Sequence, residues 1–215
     1  MKHLVIIGAR GFGRGVYHLF LDCLSHNTIN VIDCKGFLDG DSTILDDYKG
    51  YPPILSSVEE YNPLPDDVFI CAMGDPVYKK KYVEIIQNKG GEFISLIYPN
   101  FIIGPNSAIG NGAIVLSNVK VGCDVTIGEF VTICEGTIIG HDVRVGKWTH
   151  LGPISTLGGF SVLGESVNMH PRVGILPHVH VGNNVVIGNG STVLKDIPAD
   201  TTVFGNPARV ISKNQ

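Results

Sequence analysis

Two neighbouring residues, His141 and Asp142, have the clearest capacity for chemistry in this sequence. An imidazole titrates near neutrality, and a carboxylate beside it fixes its tautomer and raises its basicity, as general-base work requires. Such a base contributes roughly 10²–10⁴ in rate by taking the proton of an attacking group. The same pair also occurs as a surface His beside an Asp at a turn. A second candidate is the loop Gly8-x-x-Gly11-x-Gly13. Its glycines allow a ligand to approach the backbone closely, and a helix opening there would attract phosphate. The spacing is not the GxGxxG dinucleotide fingerprint, so NAD is not expected. The five cysteines (Cys23, Cys34, Cys71, Cys123, Cys134) are odd in number and show no CxxC spacing. They read as free thiols in a reducing cytoplasm.

Two kinds of element must position these residues. Up to about residue 97, strand-like and helix-like segments alternate. His3–Ile7 is a continuous apolar run ending at Gly8, as in a parallel strand covered on both faces. Val16, Leu19, Phe20 and Leu24 follow at helical spacing. Ile29–Ile32 with Gly36–Leu38 and Val68–Met73 read as further strands, Pro76–Asn88 as a helix, and Glu92–Ile97 as a closing strand. This pattern predicts a small α/β, Rossmann-like domain over residues 1–98.

After Pro99 the period becomes six. Sixteen hexads run from Ile103 without interruption, and each begins with an aliphatic residue. The second position is Gly in eleven of them, and the fifth is always Ser, Thr, Ala, Val or Ile. The repeat predicts an all-β left-handed parallel β-helix over 99–198, followed by a cap or tail at 199–215. Three short strands make a triangular coil of eighteen residues. The first position points inward, the small fifth position fits beside it, and the second-position Gly is read as permitting a tight corner. Just over five coils give a prism roughly 25 Å long at the usual strand spacing. Because the register is unbroken, Gly159 lies directly over His141. His150, nine residues further on than His141, is half a coil away and faces elsewhere.

A hexapeptide prism behind an α/β domain opening Gly8-Ala9-Arg10-Gly11-Phe12-Gly13-Arg14 resembles the bacterial sugar acyltransferases. That family includes sialic acid O-acetyltransferase and the bacillosamine-pathway N-acetyltransferase. The likeness extends through Gly36-Phe37-Leu38-Asp39, Met73-Gly74-Asp75, the repeat, and Val203-Phe204-Gly205-Asn206-Pro207-Ala208-Arg209. It implies acetyl transfer from acetyl-CoA to an amine or hydroxyl of a nucleotide-linked sugar, in a homotrimer with sites between neighbouring prisms. It further implies that His141 and Asp142 are the catalytic pair and that the Gly159 N–H faces the thioester carbonyl. His150 would lie near the acyl group, reaching the site of a neighbouring subunit. Lys195, Gly205 and Arg209 would lie along coenzyme A. Gly8, Gly11, Gly13 and Asp39 would hold the nucleotide, with Gly74 and Asp75 nearby. The chain departs from the family pattern at Cys134, where relatives often have Asn, and at Gly140, where they often have an acidic residue. Asn168-Met169-His170 and Tyr98 are further departures.

Other functions fit less well. A net charge of −4, with no basic run longer than Lys79–Lys81, argues against a nucleic-acid surface or a polybasic membrane anchor. No stretch approaches the ~20 apolar residues of a membrane span, and the apolar run at Leu4–Ile7 is too short for a signal peptide, so a soluble cytoplasmic protein is expected. A zinc hydro-lyase on the same prism would need three histidine ligands. No two of the eight histidines are five apart, and Pro177 stands two coils on from His141, so no metal is expected. A non-catalytic trimeric nucleotide-binding scaffold and an O-acetyltransferase of free sugars or small molecules remain as alternatives.

Overall fold

The computed structural model describes residues 2–214 and divides into two compact units between Pro99 and Asn100. In the first, five strands form a parallel sheet: β1 (His3–Ile7), β2 (Cys34–Leu38), β3 (Ile54–Ser56), β4 (Asp67–Cys71) and β5 (Glu92–Phe93). Their spatial order is β3-β2-β1-β4-β5. Leu4, Val5, Ile6 and Ile7 are fully buried, as the continuous apolar run requires of a central strand covered on both faces. Helix α1 (Gly11–Ser25) buries Val16, Leu19, Phe20 and Cys23, and α2 (Pro76–Asn88) begins with Pro in its first turn.

Three details differ from the sequence reading. Ile29–Ile32 is not a strand; Ile32 is exposed, and Asp33 turns back to hydrogen-bond Nδ1 of His3 before β2 begins. The short edge strand β3 lies just after Pro52-Pro53, where the prolines hid it; prolines are tolerated at such an edge. The segment Glu92–Ile97 is two short strands, β5 and Leu96–Ile97, rather than one. At the N-terminal edge of the sheet, buried Asp67 is a hub. It accepts from the Lys35 ammonium at 2.6 Å, the Tyr61 hydroxyl at 2.7 Å and the Leu64 N–H at 2.8 Å.

The second unit is a left-handed parallel β-helix of two-residue strands. Residues eighteen apart pair in parallel on every face: Lys120 with Ile138, Thr126 with Arg144, Thr132 with His150. First-position side chains from Val115 to Val193 are buried, while Ile103 in the opening coil is 41% exposed. Several fifth-position hydroxyls serve the core as donors. Those of Thr137 and Thr149 reach the carbonyls of Gly152 and Gly164 in the next coil, both at 3.1 Å.

The corner chemistry corrects the expectation for the glycines. Left-handed backbone falls on the fourth position of each hexad, from Asn106 through Asn184 and Gly190, and mostly on residues with side chains. The second-position glycines are needed for a different reason. A Cβ at Gly146 would lie 2.4 Å from the Gly164 carbonyl carbon, and one at Gly158 would lie 2.4 Å from the Pro177 nitrogen. Adjacent coils approach too closely there for a side chain. Beyond the repeat, Thr201–Gly205 pairs with Val186–Ile187 and turns through a cis Asn206–Pro207 bond into the antiparallel strand Ala208–Lys213.

Candidate active site

His141 and Asp142 occupy the corner between the strands Ile138–Ile139 and Arg144–Val145. The turn is held from both neighbouring coils: the Asp142 N–H donates to Cys123, and His141 accepts from the Phe160 N–H, each at 3.0 Å. Asp142 has φ 58°, a left-handed conformation that Asp adopts more readily than most residues. That conformation brings its carboxylate back to the preceding ring, with Oδ2 2.8 Å from Nδ1 of His141. A carboxylate can only accept, so the neutral imidazole carries its proton on Nδ1 and leaves the Nε2 lone pair for a substrate.

The free nitrogen lies over Gly159. A Cβ at that residue would come within 2.8 Å of both Cε1 and Nε2 of His141. Among the described residues, the Gly159 N–H donates to no protein acceptor. This is a property of the fold as well as of the residue. The third position of a hexad leaves its N–H outside the ladder, which is why Pro105, Pro153, Pro171 and Pro177 are tolerated there. Among the described third-position residues, Gly159 is the one with a histidine directly below it in the same column. An imidazole and an unused backbone N–H thus share one corner.

Two aromatic neighbours were not legible in the sequence. Phe160 stands edge-to-face to His141, with ring centroids 5.1 Å apart and planes at 88°. His178 stacks on Phe160 at 4.9 Å and 5°. Below the pair, a hydrogen bond to the Asp124 carboxylate, aided by the charge of Asp142, pushes the Cys123 thiol above its ordinary pKa. That thiol is held neutral and is a poor nucleophile.

The structure does not bring His150 to this corner within one chain. Its strand pairs with Thr132 and Asn168 on the third face, and its Nε2 lies 3.6 Å from the Cys134 sulfur. His170 is exposed at its own corner. Lys195 is exposed at the third position of the last hexad. In the terminal hairpin the Gly205 N–H donates to Ser191 at 3.0 Å, and Arg209 donates from Nη1 to the Ala208 carbonyl at 2.8 Å.

The first unit holds a separate cavity of about 450 Å³ at the carboxyl ends of β1, β2 and β4. Ligand crevices in open α/β sheets form at this edge, where the chain reverses from one side of the central strand to the other. Gly8, with φ 93°, makes the turn out of β1, and its N–H donates to Leu38 at 2.8 Å. Gly13 is required by packing, since a Cβ there would lie 1.9 Å from the Gly8 carbonyl oxygen. Gly11 faces open space, so nothing in the protein demands its missing side chain. Asp39 ties the loop down, accepting from the Ala9 N–H at 3.0 Å and the Asp41 N–H at 3.1 Å. The two helix starts at this edge are not equivalent. Asp75 caps α2 with its own carboxylate on the Val77 and Tyr78 N–H groups, whereas α1 begins after Arg10 with no side-chain cap. Arg10, just before α1, also lines the cavity. Phe12, Tyr78, Tyr82 and Gly74 line other parts of its wall. Among the described residues, no group of three or more His, Cys, Asp or Glu could hold a metal ion, and no helix is long and apolar enough to cross a membrane.

Comparison with known proteins follows both halves of this geometry. Residues 3–86 match the PglD N-terminal domain, and residues 160–195 match the bacterial transferase hexapeptide (six repeats). PerB from Caulobacter crescentus, solved with CoA and GDP-perosamine, superposes with a TM-score of 0.87, covering 99% of this chain and 98% of its own at 24% identity. The acetyltransferase domain of PglB from Neisseria gonorrhoeae gives 0.85, covering 98% and 100% at 24% identity. This chain has their fold. AntD, an N-acyltransferase from Bacillus cereus, aligns over 57% of this chain and 83% of its own, with a TM-score of 0.53 at 17% identity. No curated protein matches the sequence.

Proposed function

We propose that the protein transfers an acetyl group from acetyl-CoA to the amino group of a nucleotide-linked sugar. The observation that carries this reading is the His141 corner: an imidazole tied at Nδ1 to Asp142, with Nε2 over a glycine whose N–H is unused. In the reaction, Nε2 takes a proton from the attacking amine as it adds to the thioester carbonyl. Asp142 stabilises the imidazolium that forms, and the Gly159 N–H donates to the developing oxyanion. Collapse expels the coenzyme A sulfur, which receives the proton back from His141. Relatives solved with CoA and an aminosugar nucleotide support this substrate class. The cavity beside Gly8, Gly11 and Asp39 would seat the nucleotide, its diphosphate at the start of α1 and Arg10. Lys195, Gly205 and Arg209 would contact coenzyme A. His150 is half a coil from His141, so in a homotrimer it would complete the site of a neighbouring subunit. The protein would work in the cytoplasm, where acetyl-CoA is available.

The test is release of free coenzyme A thiol from acetyl-CoA with a panel of UDP-, GDP-, dTDP- and CMP-linked sugars, each as amine and as hydroxyl. Turnover is expected with one aminosugar nucleotide and is expected to fall by about 10²-fold or more in His141→Ala. Unchanged turnover in that variant would remove His141 from the mechanism; acceptance of the hydroxyl form alone would make the enzyme an O-acetyltransferase.

A further inference from the structure

The fourth-position column at the His141 corner reads Asn106, Asp124, Asp142, Phe160 and His178, all with left-handed backbone. Asn and Asp suit that conformation because their short polar side chains bond locally, whereas an aromatic residue at φ 61° is strained. Burial does not offset the strain, since Phe160 is 45% exposed. Phe130, Trp148 and Ile154 share this backbone at other corners, so the conformation does not single Phe160 out; the rings it touches do. One neighbour is the His141 ring, edge-to-face; the other is the His178 ring, in a parallel stack.

We infer that Phe160 is a positioning residue, a wall that holds the His141 imidazole with Nε2 over Gly159. The inference rests on the reading of His141 as the base. Asp142 alone cannot fix that ring: its single hydrogen bond anchors Nδ1 but leaves the imidazole, with a side chain 56% exposed, free to swing about that anchor. An edge-to-face neighbour blocks the swing on one side, and His178 braces the wall from the next coil. Aromatic edge contacts of this kind stabilise a single orientation through quadrupole attraction as well as packing. It is the contact with the His141 ring, not the corner conformation, that sets Phe160 apart from Phe130, Trp148 and Ile154 at the same hexad position.

Phe160→Asn tests this without harming the corner, because Asn carries the left-handed backbone at the equivalent Asn106. The variant should keep its thermal midpoint while kcat falls about threefold to tenfold, the range an aromatic contact of this strength sets. The KM for acetyl-CoA should stay within about twofold, because a base acts on the chemical step more than on donor binding. The imidazole signals of His141 in nitrogen–proton correlation spectra should broaden or shift toward those of a free ring, and Phe160→Tyr should restore both kinetics and signals. A merely structural wall would lower the midpoint and leave the His141 signals alone. Wild-type kcat with unchanged signals in Phe160→Asn overturns the proposal, as does a loss confined to KM. Should His141→Ala retain full activity while Phe160→Asn still disturbs the ring signals, the assignment of the base has failed and the wall has not.

Discussion

Gly159→Ala isolates the geometry on which the proposed chemistry depends. The backbone at Gly159 is not left-handed, so the chain itself accepts Ala. The three atoms nearest the new Cβ would all be in the His141 ring, Cε1 and Nε2 at 2.8 Å, where ordinary contact begins at 3.4 Å. The ring must therefore retreat by about 0.6 Å, and it is the far end of an exposed side chain that can do so. Retreat strains the 2.8 Å bond to Asp142 and moves Nε2 off the position above the Gly159 N–H. A displacement approaching 1 Å in a catalytic group costs on the order of 10²-fold in rate. We expect kcat to drop by roughly that factor with the thermal midpoint nearly unchanged, read by coenzyme A thiol release and by differential scanning fluorimetry. A double-mutant cycle sharpens the test: in a His141→Ala background the same substitution should add almost nothing, because there is no longer a ring to displace. A full loss in both backgrounds would mean that Gly159 acts on the donor independently of His141, and full activity in the single variant would refute the stacking argument.

Gly146→Ala and Gly15→Ala should have opposite signs. The first sets a Cβ 2.4 Å from backbone atoms of the next coil and should destabilise the prism by at least about 1–3 kcal/mol in denaturant unfolding; the second meets nothing within 4 Å on an exposed helix face and should stabilise by up to about 1 kcal/mol. Asp39→Ala removes the acceptor for two loop N–H groups and should weaken binding of the cognate nucleotide-sugar by at least about tenfold, measured by calorimetry. Burial pushes Cys34 and Cys71 up to about 12, so near pH 8 only about one thiol in ten thousand at either site is ionised. Iodoacetamide should leave both unmodified in the native protein and label both after denaturation; rapid native labelling of either would contradict the raised pKa.

The prism was readable from sequence because its physics repeats. One inward aliphatic in every six residues is a requirement of each strand, so Ile103 to Val193 declare the coil and its register in advance. The register in turn placed Gly159 over His141 before any coordinates. The role of Gly146 or Gly158 was not readable, since the clash that excludes a side chain comes from a different coil, eighteen residues away. Phe160 escaped notice for the same reason: its partners His141 and His178 are neighbours only in the stack. In the first domain the glycine loop and the strand before it were visible, but Gly8, Gly11 and Gly13 looked alike. Packing separates them, with Gly13 pressed on the Gly8 carbonyl and Gly11 facing the open. Nothing in the spacing of Lys35, Tyr61 and Asp67 announces that they converge on one buried carboxylate.

The stacked register also governs how the molecule comes apart. Each coil touches only the coils before and after it, so stability is distributed along the axis like that of a one-dimensional chain of coupled units. Such arrays melt from their ends. The opening coil, where Ile102 and Ile103 are 57% and 41% exposed, is the weak end, whereas His141 and Gly159 lie in interior coils whose first-position residues are all buried. The pair that the proposed chemistry needs aligned therefore occupies the segment that opens last. Hydrogen exchange should run as a gradient along the axis, with its slowest amides beneath the His141 corner.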